Sequence, residues 1–147
     1  MVPEMNDCHD PTQLLPCTWR RKLDALIDER LHAPFDWGGN DCCMWAADCV
    51  RAMTGHDPAA DLRGTYATAA GALRALDGAG GIEAMGARAG AAIAPLMAAL
   101  GDIGLIEQAG RDALAVCCGP LWLAPASDGL AAMPLSAARL AWRVNHG

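Results

Sequence analysis

The stretch FDWGGNDC, residues 35–42, decides how this chain is expected to fold. An aromatic, glycine-rich segment leads into a helix that we predict to run from Asp41 to Met53. In the first turn of a helix, unpaired backbone N–H groups and the positive end of the helix dipole favour a thiolate. We therefore predict that Cys42 is a candidate nucleophile, and that the cleft beside it is lined by Trp37, Gly39, Asn40 and Asp41.

Length and composition favour one globular domain of 147 residues. Residues 1–17 contain three prolines and little periodicity, which predicts an extended arm before a single domain at 18–147. The formal charge of −6 excludes an ordinary nucleic-acid binder, because such a protein needs a basic face. The N-terminal residues lack a signal-peptide pattern, and no apolar run reaches membrane-spanning length. We therefore expect synthesis in the cytoplasm and no membrane-spanning segment.

Hydrophobic spacing divides the chain into helices followed by strands. A first helix begins at Thr18 and ends before Pro34, and a third helix is predicted to begin with Thr65 as its cap. Residues 82–100 are alanine-rich and predict short helical turns around Pro95. From residue 101 onward, short apolar runs alternate with turn residues, which predicts strands at Ile103–Glu107, Ala113–Cys118, Leu121–Ala124, Leu130–Met133 and Ala141–Val144. This order predicts an α+β fold in which N-terminal helices pack on a small C-terminal antiparallel sheet.

Two features in this order resemble a known enzyme family. Asp41-Cys42 at the start of a helix, with Gly101-Asp102 opening a series of strands, resembles the NlpC-type cell-wall peptidases of the papain-like fold. The resemblance implies that the helix cysteine is the nucleophile, and that a histidine at the start of the second strand is its base. It also implies a papain-like fold for the whole domain.

A closer resemblance rests on the sequence blocks 35–38, 41–42, 46–48, 54–58, 63–66, 101–102 and 141–144. It covers residues 19–144 and is to a family of phage and prophage proteins encoded among tail genes. It implies a tail-tip or tail-assembly protein that contacts other tail proteins, first in the host cytoplasm and then in the virion tail.

A cysteine-peptidase site also needs a proton acceptor, and no histidine stands at the positions where the NlpC-type resemblance would place one. The slot that carries histidine in NlpC-type enzymes is Ala113, and the position two before the cysteine is Asn40. A hydrolase needs a base within hydrogen-bond reach of the thiol. His56 is expected at the far end of a helix about 20 Å long. None of the four histidines is well placed in sequence: His9, His32, His56 and His146.

Three functional hypotheses follow from these observations. The leading hypothesis is a structural phage tail-tip or tail-assembly protein on an NlpC-type scaffold whose catalytic site is degenerate. The second is an active cysteine peptidase or amidase that cuts peptidoglycan peptides during genome entry. The third is a thiol-dependent or metal-linked accessory protein. We expect no cofactor.

Neither metal binding nor a sugar platform is favoured by the remaining residues. The seven cysteines include no Cys-x-x-Cys pair, and Cys42 and Cys49 lie two turns apart, about 10 Å, too far to share one ion. We therefore predict no metal site. Most of the five tryptophans fall in periodic contexts typical of core packing, whereas Trp37 lies in the glycine-rich segment.

Overall fold

The computed structural model describes residues 18–145 of the chain. Four helices come first: α1 (Thr18–Arg30), α2 (Cys42–Thr54), α3 (Ala69–Gly78) and α4 (Ile82–Ala87). Six strands follow, with short 3₁₀ turns at Pro95–Met97 and Leu135–Ala137. The strands are β1 (Gly90–Ile93), β2 (Ile103–Gln108), β3 (Arg111–Cys117), β4 (Leu121–Ala126), β5 (Gly129–Pro134) and β6 (Ala138–Val144). The predicted 1–17 arm lies outside the described residues.

The strands form one antiparallel sheet in the order β1-β6-β2-β3-β4-β5. Strands β2 to β5 pair as successive hairpins, and β6 returns to the free side of β2. The α+β expectation is confirmed, and each of the five predicted strands is present with slightly different bounds.

Helix α2 is the centre of the apolar core. Its residues from Cys43 to Val50 are all buried, and they pack with α1 on one side and with the inner face of β2 and β3 on the other. Trp45 is fully buried and its indole N–H donates to the carbonyl of Leu123 at 2.9 Å. This placement fixes the start of α2 against the middle of the sheet.

Two local predictions are wrong. The third helix is capped by Thr68, not Thr65, because the Thr68 hydroxyl accepts from the N–H of Gly71 at 3.1 Å. Strand β1 was absent from the prediction, since Gly90–Ile93 has the small, alanine-rich composition of its helical neighbours. This segment forms a strand because it pairs with β6, although its local sequence does not favour one.

Candidate functional site at the start of the second helix

Cys42 is the first residue of α2, as the sequence predicts. Asp41 caps the helix, because its Oδ1 accepts from the N–H of Met44 at 2.9 Å. Gly55 ends the helix in the left-handed conformation, with φ at 81°. Cys42 is half-buried and packs against both apolar clusters of the protein, whereas Cys43 is buried. The sulfur of Cys42 therefore lies at a helix start, on a residue that is half-buried as a whole.

The surroundings of the Cys42 sulfur favour its ionised form. A hydrogen bond from the Cys43 thiol lowers the pKa of Cys42 most, and backbone N–H groups of Leu114 and Cys43 lower it further. Burial and the Asp41 carboxylate act in the opposite direction, and the net pKa remains below the ordinary thiol value. The pKa of Cys43 is raised well above that value, first by its hydrogen bond to Cys42 and then by burial. One thiol thus serves as a donor to the other.

Strand β3 passes directly beside this sulfur. The backbone N–H of Leu114 is close enough to contribute to the pKa of Cys42, and Ala113 immediately precedes it on the strand. Ala113 is buried in the second apolar cluster, against which Cys42 also packs. The position at which the sequence resemblance predicts a histidine base, Ala113, therefore lies on the strand beside Cys42.

No imidazole of residues 18–145 is among the groups that set the pKa of Cys42. His32 is exposed in the turn after α1, where it lines a surface recess with residues 126–130. His56 is exposed just beyond the C-terminal end of α2. His9 and His146 lie outside the described residues.

Asn40 is buried and its amide is fully engaged in local structure. Its Nδ2 donates to the carbonyl of Pro34 at 2.9 Å, and its Oδ1 accepts from Arg30 at 3.1 Å. Its backbone N–H donates to Asp36 at 2.7 Å and closes the turn. The side chain therefore holds the 34–40 loop onto α1.

The loop before Cys42 presents an aromatic surface with one guanidinium. Trp37 is half-buried and meets Phe35 edge to face, with ring centroids 4.7 Å apart. The Arg111 guanidinium at the start of β3 lies over the Trp37 ring, 5.8 Å from its centroid. Gly39 is exposed at the turn. Arg111 belongs to no recognisable sequence motif. It lies beside Trp37 because β3 begins next to the loop.

A buried carboxylate joins this loop to the segment before α3. Oδ2 of Asp41 accepts from the backbone N–H of Gly38 at 2.9 Å and from the Tyr66 hydroxyl at 2.6 Å. Burial and the Asp41 carboxylate together raise the pKa of Tyr66 far above its usual range, so the hydroxyl remains a donor. Gly38 has a φ of 85°, and a Cβ there would overlap the carbonyl of Tyr66. Asp41 thus fixes both the helix start and the loop geometry.

Residues 17–144 match the family described as Domain of unknown function (DUF6950). The match covers most of the chain. The protein belongs to the DUF6950 family. No curated protein matched the chain.

A buried ion network occupies the other side of α2 in this DUF6950 domain. Both oxygens of Asp48 accept at 2.6 Å, one from Arg30 on α1 and one from Arg63 in the loop before α3. Arg63 also donates to Asp57 at 2.6 Å. The helical pattern predicts Asp48 on the side of α2 opposite to Cys42, and the structure buries it there beneath two arginines.

A third buried carboxylate, Asp102, joins the start of β2 to the end of β6. Asp102 accepts from the backbone N–H groups of Ala99 and Val144, at 2.9 Å and 3.1 Å, and from Arg143 at 3.2 Å. The Gly101-Asp102 and Trp142–Val144 segments of the DUF6950 domain therefore meet at one point. This contact accounts for Asp102 and for Arg143.

Metal coordination has no candidate cluster in the part of the chain that the structure describes: no three His, Cys, Asp or Glu side chains converge there. None of the helices between Thr18 and Asn145 has the length and apolarity needed to cross a membrane.

Proposed function

We propose that this protein acts through protein–protein contact, as a tail-tip or tail-assembly component of a phage or prophage. It is built on a papain-like, NlpC-type scaffold whose peptidase chemistry has been lost. The placement in a tail comes from the sequence resemblance over residues 19–144. The loss of chemistry rests on the geometry around Cys42.

The observation that carries the proposal is the set of groups around the Cys42 sulfur. Peptide hydrolysis by a thiol needs a proton donor for the leaving amine, usually the imidazole that also deprotonates the thiol. The groups that set the pKa of this sulfur are the Cys43 thiol, two backbone N–H groups and the Asp41 carboxylate. A thiol whose own pKa is strongly raised is a poor proton acceptor at neutral pH, and Asp41 already accepts three hydrogen bonds. This set activates a thiolate and provides no acid–base partner.

The buried carboxylates of the motif blocks support the same proposal, because each has a structural partner. Asp41 binds Tyr66 and the loop, Asp48 binds two arginines, and Asp102 binds β6. Every buried side-chain nitrogen or oxygen in residues 18–145 has a hydrogen-bond partner. Polar groups whose hydrogen bonds are all made within the protein are expected of a domain with a structural role.

One observation favours the second candidate, an active thiol peptidase or amidase on peptidoglycan peptides. The pKa of Cys42 is lowered at a helix start, as a nucleophile requires. In that mechanism the Cys42 thiolate attacks the amide carbonyl, and backbone N–H groups near the start of α2 stabilise the oxyanion. Its proton donor would have to come from outside residues 18–145, for example His9 or His146.

Peptidoglycan digestion separates the two candidates. The full-length protein and its Cys42→Ala variant are incubated with purified cell wall, and newly formed amino groups are labelled and counted. We expect equal, background release from both proteins. Amine release by the parent protein that Cys42→Ala abolishes would establish the hydrolase and contradict the proposal.

Virion composition tests the tail assignment separately. We expect the protein in purified tails in a fixed ratio to the other tail components, and unchanged infectious titre from a Cys42→Ala phage. Absence of the protein from both finished tails and tail-assembly intermediates would overturn the tail assignment.

A further inference from the structure

A surface recess of about 350 Å³ lies between α1 and α2, on the side of α2 opposite to Cys42. Its cationic wall consists of Lys22, Arg30 and Arg51, and its apolar lining is Leu26 and Ala52. Its volume is at the lower end of the range for ligand-binding pockets, about 300–1,000 Å³. It has room for a few side chains of a partner.

The two carboxylates that line this recess are already engaged. Asp48 gives one oxygen to Arg30 and the other to Arg63, both at 2.6 Å. Glu29 is paired with Nε of Arg30 at 3.4 Å. Arg30 in turn uses its remaining nitrogen on Asn40. Asp48 is thus neutralised, whereas the Glu29 side chain is 70% exposed. Three cations against two carboxylates leave the recess lining one net positive charge.

Lys22 and Arg51 are the cations with unused capacity. The Lys22 side chain is exposed and makes no hydrogen bond or ion pair with any residue of the 18–145 segment. The Arg51 side chain is 54% exposed, and its paired carboxylate, Asp57, is 3.8 Å away. Asp57 is held more closely by Arg63, at 2.6 Å. The recess therefore presents net positive charge on a chain whose formal charge is −6.

We propose that this recess docks an acidic segment of a partner protein, with a carboxylate between Lys22 and Arg51 and an apolar side chain on Leu26 and Ala52. The charge of the recess and its apolar lining together match alternating acidic and apolar side chains. A nucleic acid is a poor fit, because a phosphate backbone needs an extended basic face and the recess offers three cations beside two carboxylates. The inference rests on the proposed contact function and gives that contact a location and a partner chemistry.

The test uses the full-length protein and a fluorescein-labelled peptide of alternating Glu and Leu, with binding measured by fluorescence anisotropy at low salt. We expect the double variant Lys22→Glu/Arg51→Glu to weaken binding about tenfold, since two modest ion pairs become repulsive. The control is Arg74→Glu on exposed α3, which has the same charge change as Lys22→Glu alone, does not touch the recess and should alter affinity less than twofold. Lys22→Glu alone removes no contact of the Asp48 network, so it should give a smaller loss with unchanged thermal stability.

Three results would overturn the inference. They are equal affinity of the parent and the double variant, an equal loss in Arg74→Glu, and competition by free glutarate at the peptide's own affinity, which would indicate a small-anion site. The peptide-binding result does not depend on Cys42. Cell-wall digestion that requires Cys42 would contradict the proposed function, whereas equal peptide binding by the parent and the double variant would contradict only this inference.

Discussion

The two sides of α2 use polar residues in different ways. On one side, Asp48 is buried between two guanidiniums, and each of its oxygens has a charged partner at 2.6 Å. On the other side, Cys42 has a thiolate-favouring environment and no acid–base partner among residues 18–145. The first side is complete as structure, whereas the second has only one of the components that thiol catalysis requires, a thiol with a lowered pKa. A motif residue therefore indicates chemistry only when its neighbours are also those that the chemistry requires.

The largest expected effect lies on the Asp48 side. Asp48→Ala leaves Arg30 and Arg63 without their shared carboxylate beneath the surface, and loss of one partner from a buried ion pair costs about 3–5 kcal/mol. Chemical denaturation should show this loss in the free energy of unfolding. Asp24→Ala, at an exposed position on α1, is the control and should change it by less than about 0.5 kcal/mol. Similar values for the two variants would contradict the structural role of the network.

The Asp41 side should give a somewhat smaller loss of stability. Asp41→Ala removes a helix cap, worth about 1 kcal/mol, and leaves the Tyr66 hydroxyl without its acceptor, at about 1–3 kcal/mol. The sum predicts a decrease of about 2–4 kcal/mol in the free energy of unfolding. Tyr66→Phe removes the hydroxyl together with its need for a partner, so it should cost clearly less. A Tyr66→Phe variant as unstable as Asp41→Ala would contradict this assignment.

The smallest effects concern the reactivity of Cys42. The Cys43 thiol lowers the pKa of Cys42 by donating a hydrogen bond, so Cys43→Ala should raise that pKa and move the midpoint of iodoacetamide alkylation to higher pH. Cys43→Ser keeps a donor and should stay nearer to the parent protein. Asp41→Asn removes a nearby negative charge, which should lower the pKa and move the midpoint to lower pH. Mass spectrometry of the Cys42 peptide measures all three, and a common direction for Cys43→Ala and Asp41→Asn would contradict the assigned causes.

Local sequence signals predict much of the fold because the deciding residues are close together in the chain. Asp41 and Gly55 bracket α2, and short apolar runs separated by turn residues predict the core strands. Strand β1 has no such signal, since its alanines suit a helix equally well. Its hydrogen bonds depend on β6, which lies about fifty residues later in the chain.

The polar contacts of the site depend on residues far apart in sequence, and this limits prediction. Arg63 reaches Asp48 across fifteen positions, and Tyr66 reaches Asp41 across twenty-five. Nothing within either local segment indicates those partners. Cys42 itself is predictable from its helix start, whereas the donor role of Cys43 emerges only when its side chain is placed beside that sulfur. Cleft lining by Trp37, Gly39, Asn40 and Asp41 stays a prediction.

The most direct test of the central claim is the pH–rate profile of Cys42 alkylation in the full-length protein. We predict a single inflection below the ordinary thiol pKa, unchanged when His9, His32, His56 and His146 are each replaced by Gln. A thiolate–imidazolium pair would instead give a second inflection where the imidazole titrates. An unpaired imidazole titrates at about pH 6–7, and pairing with a thiolate moves that inflection upward. A second inflection that disappears with one of the four substitutions would identify a base and contradict the account.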